Sequence, residues 1–235
     1  MQQNIYNILK NGYYIPLLFP LVYYTTQNVL ISTTITLKMF PTNYMFWYSH
    51  KFNYGFADRR YNQIRQIVRF TDTGYLVSIL AIQSSSYVPL AYNIHFAITF
   101  GYWIAKCTIG LDDVDRTNGP EYNIEFERLW GAIIHGIPLA ILLQKIRTTN
   151  YLDICPYYFS PWDLMMSYAW LCAWGLFVYI PWCIRTGDPV YNFMDGKSPF
   201  GFKIAGCMLM HLLLAVSNMT GRYIHEYASR YRNPY

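Results

Sequence analysis

Thr71 and His135 are the two residues whose side chains are best suited to act together in a reaction. A hydroxyl becomes a nucleophile when a neighbouring imidazole accepts its proton, and these two residue types supply the two groups. Thr71 lies about seven residues into one predicted membrane helix and His135 about six into another, so both lie about 10 Å below the helix entrances. If both helices enter the membrane from the same side, the sequence predicts a nucleophile–base pair.

Structural interpretations of these residues also stay open. A buried histidine is often only hydrogen-bonded, and a helical threonine commonly bonds the backbone of the preceding turn. A triad would need a carboxylate to orient the imidazole, and either Asp72 or an acid of the segment 112–127 could supply it. His95 and His211 lie in two other apolar segments, where a histidine pair could ligate a haem, but no surrounding signature supports it. The sequence therefore predicts no cofactor and no metal site.

Five segments that contain no Asp, Glu, Lys or Arg must position these residues. A bilayer core of about 30 Å requires roughly 20 mostly apolar residues in a helix, and each segment crosses or nearly crosses that distance. The second segment is too long for one crossing, and its Ser84-Ser85-Ser86 and Pro89 are typical of a turn between two helices. The five segments comprise residues 11–37, 73–105, 129–144, 164–184 and 204–221.

The pattern predicts an all-α polytopic membrane protein with about six transmembrane helices and short loops. Six helices of about 20 residues leave no room for a second globular domain, so residues 1–235 form a single transmembrane domain. If residues 73–105 formed one long helix, there would be five spans, and Thr71 and His135 would enter from opposite sides. The predicted spans are residues 13–37, 64–84, 88–105, 129–145, 163–184 and 203–221.

The composition supports the same class. Charged residues make up 13% of the chain, whereas soluble domains carry about 25%. The net charge is +5, and the scattered basic residues form no aromatic-interleaved groove, so nucleic acid is not a predicted partner. The five cysteines include no Cys-x-x-Cys pair, which argues against a disulfide framework and a thiolate metal site.

Three segments resemble the androgen-induced / androgen-dependent TFPI-regulating family of six-helix membrane proteins. Residues 186–193 read Thr-Gly-Asp-Pro-Val-Tyr-Asn-Phe, which is similar to the Thr-Gly-x-x-Val-Tyr-Pro-Phe segment after that family's fifth helix. Residues 69–74 read Arg-Phe-Thr-Asp-Thr-Gly and resemble the start of its second helix. Residues 129–142 resemble the helix that bears its catalytic histidine. The resemblance covers roughly residues 64–227.

This resemblance implies a hydrolase of fatty-acid esters of hydroxy fatty acids, with Thr71 as the nucleophile and His135 as the base. A shift of register by two residues would instead place Arg69 or Thr73 at the nucleophile position. The family's Asn-His pair before the catalytic histidine reads Gly131-Ala132 here.

Two functions of different classes follow. The first is an accessory subunit of a larger membrane complex, because the Tyr- and Arg-rich tail 227–235 has the composition of a protein interface. The first acidic residue is Asp58, and an acid-poor amino-terminal region favours the mitochondrial inner membrane, with a respiratory-chain complex or ATP synthase as the assembly. The alternative is an intramembrane threonine hydrolase of lipid esters, with the endoplasmic reticulum or plasma membrane as other locations. Membrane lipids and other membrane subunits are the predicted partners.

Overall fold

A computed structural model describes residues 68–110, 124–148, 158–187, 189–191 and 199–232, together with Pro20, Leu21, Tyr23, Tyr24 and Ser32. These described residues are almost entirely helical and contain no strand, so the predicted all-α class is confirmed. The predicted first span, residues 13–37, lies outside them apart from the five single residues. The helices are α1 (Phe70–Gln83), α2 (Val88–Ile109), α3 (Ile124–Thr148), α4 (Pro161–Trp174), α5 (Ile180–Thr186) and α6 (Phe200–Arg232).

A short break separates α1 from α2, where the serine-rich segment predicts one. Ser84 is extended, its amide N–H donates to the Leu80 carbonyl, and Ser85–Tyr87 form a 3-10 turn. Pro89 lies in the first turn of α2, where a missing N–H removes no intrahelical hydrogen bond. Residues 73–105 therefore form two helices, and the alternative of one long helix is wrong.

Two predicted helix starts need correction. The sequence predicts the second span from residue 64, and residues 64–67 lie outside the described residues. Arg69 is the extended N-cap of α1, so Thr71 is the second residue of that helix and not about the seventh. Helix α3 begins at Ile124, before the predicted residue 129, so His135 lies farther into its helix than expected. Both errors have one cause, because a count of apolar residues does not detect where hydrogen bonding and capping begin.

Helix α4 begins with a capping box. The Ser160 hydroxyl accepts the amide N–H of Asp163 at 3.3 Å, and the Asp163 carboxylate accepts the amide N–H of Ser160 at 2.7 Å. The helix continues through a π-helical turn (Gly175–Tyr179) into α5, so one helical segment runs over Pro161–Thr186. Wider turns of this kind occur mostly as single insertions and are frequent at functional sites.

Helix α2 packs against α1, α4 and α6 and supplies the polar centre of the bundle. Asn93 is fully buried, and its Nδ2 donates to Ser167 Oγ of α4 at 3.0 Å and to Asn218 Oδ1 of α6 at 3.1 Å. Its Oδ1 accepts the Ser217 hydroxyl at 2.9 Å. One asparagine thus links three helices through satisfied hydrogen bonds, which fixes their relative register.

Helix α6 continues beyond the predicted end of the sixth span at residue 221. Its carboxyl-terminal part is polar, and an ion pair between Arg222 and Glu226, one turn apart at 2.8 Å, supports the helix there. Hydropathy predicts the apolar part of a helix, not a polar continuation of it. The helix is therefore longer than the sequence pattern predicts.

Two helices in the described part of the chain are long and apolar enough to cross a membrane. They are Pro161–Thr186 and Phe200–Arg230, and only 6% and 17% of their most apolar windows are buried. A core helix of a soluble protein would be mostly buried, so these outward apolar faces are consistent with membrane association. The six-span arrangement stays a prediction.

The chain separates into two compact units. One comprises Met1–Ile67 and Asp112–Ile134, and the other comprises Val68–Leu111 and His135–Tyr235. Thr71, His135 and Tyr191 all lie within the second unit. The single transmembrane domain over residues 1–235 stays a prediction.

Candidate functional site

Thr71 and His135 meet in the structure. Thr71 Oγ1, on the first turn of α1, lies 3.2 Å from His135 Nε2 on α3. Both side chains are partly exposed. The distance is at the long end of a hydrogen bond, as is common for catalytic groups before substrate binds. The roles of nucleophile and base stay predictions.

A second contact between α1 and α3, ten residues farther along each helix, shows how the two helices are aligned. Lys145 Nζ of α3 donates to the Ala81 carbonyl of α1 at 3.2 Å. Thr71 precedes Ala81 by the same number of residues as His135 precedes Lys145. The two helices therefore run parallel and in register over these residues.

Two side chains of α2 contact His135, one at its imidazole ring and the other at its backbone carbonyl. The Tyr102 ring stacks on the His135 imidazole with centroids 4.0 Å apart and planes inclined by 6°. The Thr99 hydroxyl donates to the His135 backbone carbonyl. Sequence reasoning missed both partners, although one signal was available. His95, Thr99 and Tyr102 follow the i, i+4, i+7 spacing of one helix face in a segment without charge.

The structure also distinguishes the three residues considered for the nucleophile position by the contacts they make. Thr73 is buried and its hydroxyl donates to the Phe70 carbonyl at 2.8 Å, the backbone bond typical of a helical threonine. Arg69 is the N-cap residue and brings no hydroxyl. Of the two hydroxyls, Thr71 is therefore the one that faces His135.

A second hydroxyl–imidazole contact lies two turns farther along α1. Ser78 Oγ is 2.7 Å from His95 Nε2, and the same nitrogen is 3.1 Å from the Gly74 carbonyl. The side chains of Ser78 and His95 are both 0% exposed. Gly74 permits this approach, because a Cβ there would lie 2.6 Å from Ile98 Cδ1 and 3.2 Å from His95 Cε1.

The histidines considered as haem ligands have protein partners. His95 Nε2 lies against Ser78 and Gly74, as described. His211 Nδ1 is 2.7 Å from the Cys207 carbonyl, and its ring stacks on Tyr168. The described residues include no group of three or more His, Cys, Asp or Glu side chains arranged to hold a metal.

Tyr191 of the segment 186–193, together with Trp174 of α4, contacts the amino end of α1. Tyr191 Oη accepts the Phe70 amide N–H at 2.8 Å, and Trp174 Nε1 donates to the Val68 carbonyl at 2.9 Å. Burial raises the pKa of the Tyr191 phenol, so this hydroxyl stays neutral. Asp188, and residues 192 and 193 of the segment, lie outside the described residues.

No protein-family model, no curated protein and no solved structure matches the chain. The resemblance to the androgen-induced family accordingly stays a prediction.

Proposed function

We propose that this chain is an intramembrane hydrolase of lipid esters, with Thr71 as the nucleophile and His135 as the general base. The observation that carries the proposal is the 3.2 Å contact between Thr71 Oγ1 and His135 Nε2. It joins the hydroxyl and imidazole that such a reaction needs, on side chains that remain partly exposed.

The chemistry proceeds in two acyl-transfer steps. Thr71 Oγ1 attacks the ester carbonyl carbon while its proton passes to His135 Nε2, which requires the tautomer with a proton on Nδ1. The tetrahedral intermediate collapses, the alcohol oxygen departs with the proton from His135, and the acyl group remains on Thr71. Water then attacks the acyl-threonine with His135 again as the base, and the released fatty acid restores both residues.

The position of Thr71 in its helix favours the charged intermediate. Thr71 is the second residue of the 14-residue helix α1, at the end where the peptide dipoles concentrate positive charge. A developing oxyanion near a helix amino terminus gains about 0.3–1 kcal/mol, more where water is excluded. Helix α1 thus supplies both the nucleophile and part of the electrostatic stabilisation.

The outward apolar faces support a lipid as the substrate. Phe177 and Ile184 on the segment Pro161–Thr186 are 79% and 81% exposed, as a lipid-facing helix would leave them. A bilayer would dissolve an ester with long acyl chains and deliver it laterally to the protein. An aqueous substrate would not need such a surface.

Active-site labelling with a fluorophosphonate probe tests the proposal. The wild-type protein should react, and Thr71→Ala and His135→Ala should each lower labelling by at least about a hundredfold, the usual contribution of a proton-transfer partner. Ser78→Ala is the matched control, because it removes the hydroxyl of the fully buried Ser78–His95 pair and should leave labelling unchanged. Wild-type labelling in the Thr71→Ala protein would refute the assignment.

A second candidate function, an accessory subunit of a larger membrane assembly, is favoured by a different observation. Tyr223 and Tyr227 stack on each other at 6.3 Å and are 69% and 53% exposed on the polar extension of α6. Exposed tyrosines beyond the apolar part of a helix are typical of contacts with other proteins. Such an assembly would be a respiratory-chain or ATP synthase complex if the protein resides in the mitochondrial inner membrane.

The native size of the protein tests this second function. Extraction from its own membranes in a mild detergent should give co-migration with a megadalton-scale assembly, and Tyr223→Ser with Tyr227→Ser should release the chain from it. Migration of the wild-type protein as a monomer or small oligomer would exclude the accessory role.

A further inference from the structure

The amino end of α1 is capped by a distant part of the chain. The N-cap residue Arg69 makes no side-chain capping hydrogen bond. Instead, the Phe70 amide N–H donates to Tyr191 Oη, and the Val68 carbonyl accepts from Trp174 Nε1. The Phe70 and Trp174 rings also pack with centroids 5.0 Å apart. The first turn of the helix that carries Thr71 is therefore held by contacts formed only in the folded protein.

The residue before this tyrosine has a strained backbone. Val190 has a φ of 55°, a left-handed conformation that is a genuine outlier for a β-branched residue. Such strain persists only where the surrounding structure over-determines it. Here the Tyr179 hydroxyl donates to the Pro189 carbonyl at 2.9 Å, and the buried Val190 side chain packs with Val68 and Tyr179.

The π-helical turn contributes to the same arrangement. It begins directly after Trp174 and ends at Tyr179, and the two rings stack at 5.1 Å. An inserted residue in a helix rotates the following side chains relative to the preceding ones. Trp174 and Tyr179 next to the π-helical turn, the strained Val190 and the partly buried Tyr191 thus pack together against Val68 at the amino end of α1.

We propose that Tyr191 is a positioning residue that holds the first turn of α1, and with it Thr71, against His135. The part that concerns catalysis rests on the proposed hydrolase function. Phe70 is adjacent to Thr71, so loss of its hydrogen bond frees the turn that carries the nucleophile. A helix end without its cap frays, and Thr71 then spends less time in the geometry that reacts.

Hydrogen–deuterium exchange with matched variants tests the positioning itself. Tyr191→Phe removes only the hydroxyl that accepts from Phe70, and amides of residues 68–75 should exchange faster in this variant. Trp174→Phe removes the second hydrogen bond to this end of the helix and should act in the same direction. Tyr168→Phe is the matched control, because it removes a phenol hydroxyl that donates to the His211 carbonyl between α4 and α6, and it should leave exchange in residues 68–75 as in the wild type.

Steady-state hydrolysis of a fluorogenic fatty-acid ester tests the catalytic consequence. Tyr191→Phe should lower kcat by about tenfold with KM unchanged, because the reacting groups are misplaced while lipid binding is intact. Tyr168→Phe should retain the wild-type kcat, because its hydroxyl bonds the His211 carbonyl and not the amino end of α1. A general loss of packing would instead affect both variants alike.

The two readouts separate failure of this proposal from failure of the proposed function. Faster exchange in Tyr191→Phe together with an inactive wild type would support the positioning role and refute the hydrolase. Unchanged exchange in Tyr191→Phe and Trp174→Phe would overturn the positioning role, whatever the activity of the wild type.

Discussion

The molecule contains two hydroxyl–imidazole pairs that share helix α1 but differ in their surroundings. Ser78 and His95 are closer, at 2.7 Å, than Thr71 and His135, at 3.2 Å. The tighter pair is completely enclosed, whereas both members of the looser pair are partly exposed. A short contact is therefore not by itself a sign of a catalytic pair.

The Gly74 carbonyl beside the enclosed pair explains the difference. His95 Nε2 lies 3.1 Å from this carbonyl, and the Ser78 hydroxyl donates to the same carbonyl at 3.2 Å. The Ser78 proton is therefore directed to the helix backbone, as is common for a helical serine. The enclosed pair thus joins α1 to α2, whereas the Thr71–His135 pair is the one that remains partly exposed.

Replacing each of the two histidines with alanine should produce the largest difference between the two pairs, in activity for one and in stability for the other. His135→Ala should lower ester hydrolysis by about 10²- to 10⁴-fold, the contribution of a general base, with a small change in thermal stability. His95→Ala should lower the midpoint of thermal unfolding in detergent, because it leaves a cavity in the enclosed contact between α1 and α2. Equal activity losses in the two variants at matched folded fractions would break the comparison.

Chemical modification of the histidines should sharpen the same contrast without any assay of activity. Diethyl pyrocarbonate should modify His135 in the folded protein and should reach His95 only through opening of the bundle. Mass spectrometry of the modified peptides measures both rates in one sample. Rapid modification of His95 under native conditions would show that the second pair is not enclosed.

Substitution of two glycines tests the close packing around His95. Gly74→Ala would place a Cβ 2.6 Å from Ile98 Cδ1, so we expect a loss of about 1–3 kcal/mol in the free energy of unfolding. Gly136→Ala is the control next to His135, because its Cβ would meet nothing within 4 Å. That change should stabilise α3 by up to about 1 kcal/mol through helix propensity. The opposite order of stabilities would contradict the packing of α1 on α2.

Removal of the enclosed hydroxyl should have the smallest effect. Ser78→Ala leaves the His95 to Gly74 hydrogen bond in place, so we expect a loss of about 1 kcal/mol in the free energy of unfolding and no change in kcat. Denaturant titration and the ester assay on the same preparation measure both quantities. A hundredfold drop in kcat would move the catalytic assignment to this pair.

The sequence predicted the helical class and the break between α1 and α2 because these depend on local chemistry. Apolar segments of sufficient length favour helices, and Ser84 to Ser86 with Pro89 favour a break. It predicted the depths of Thr71 and His135 from helix starts that were wrong, yet the two side chains meet. The parallel register of α1 and α3, set by contacts such as Lys145 to Ala81, brings them together.

Other features of the site were beyond the sequence because they come from elements distant along the chain. Tyr102 and Thr99 flank His135 from α2, and Tyr191 caps α1 across 121 residues. No local pattern reports such contacts, since they arise when helices settle into one packing arrangement. The resemblance at residues 186–193 indicated a segment of interest but not what it contacts.

The sequence by itself determined where the chain is apolar, where it breaks, and which residues could carry a reaction. Only the tertiary structure decided which hydroxyl meets which imidazole. Thr71 and Thr73 are two residues apart, and at 3.6 residues per turn they point in directions about 200° apart around α1. The rotation of α1 against its neighbours therefore directs Thr71 to His135 and Thr73 to its own backbone, because packing sets that angle and local sequence does not.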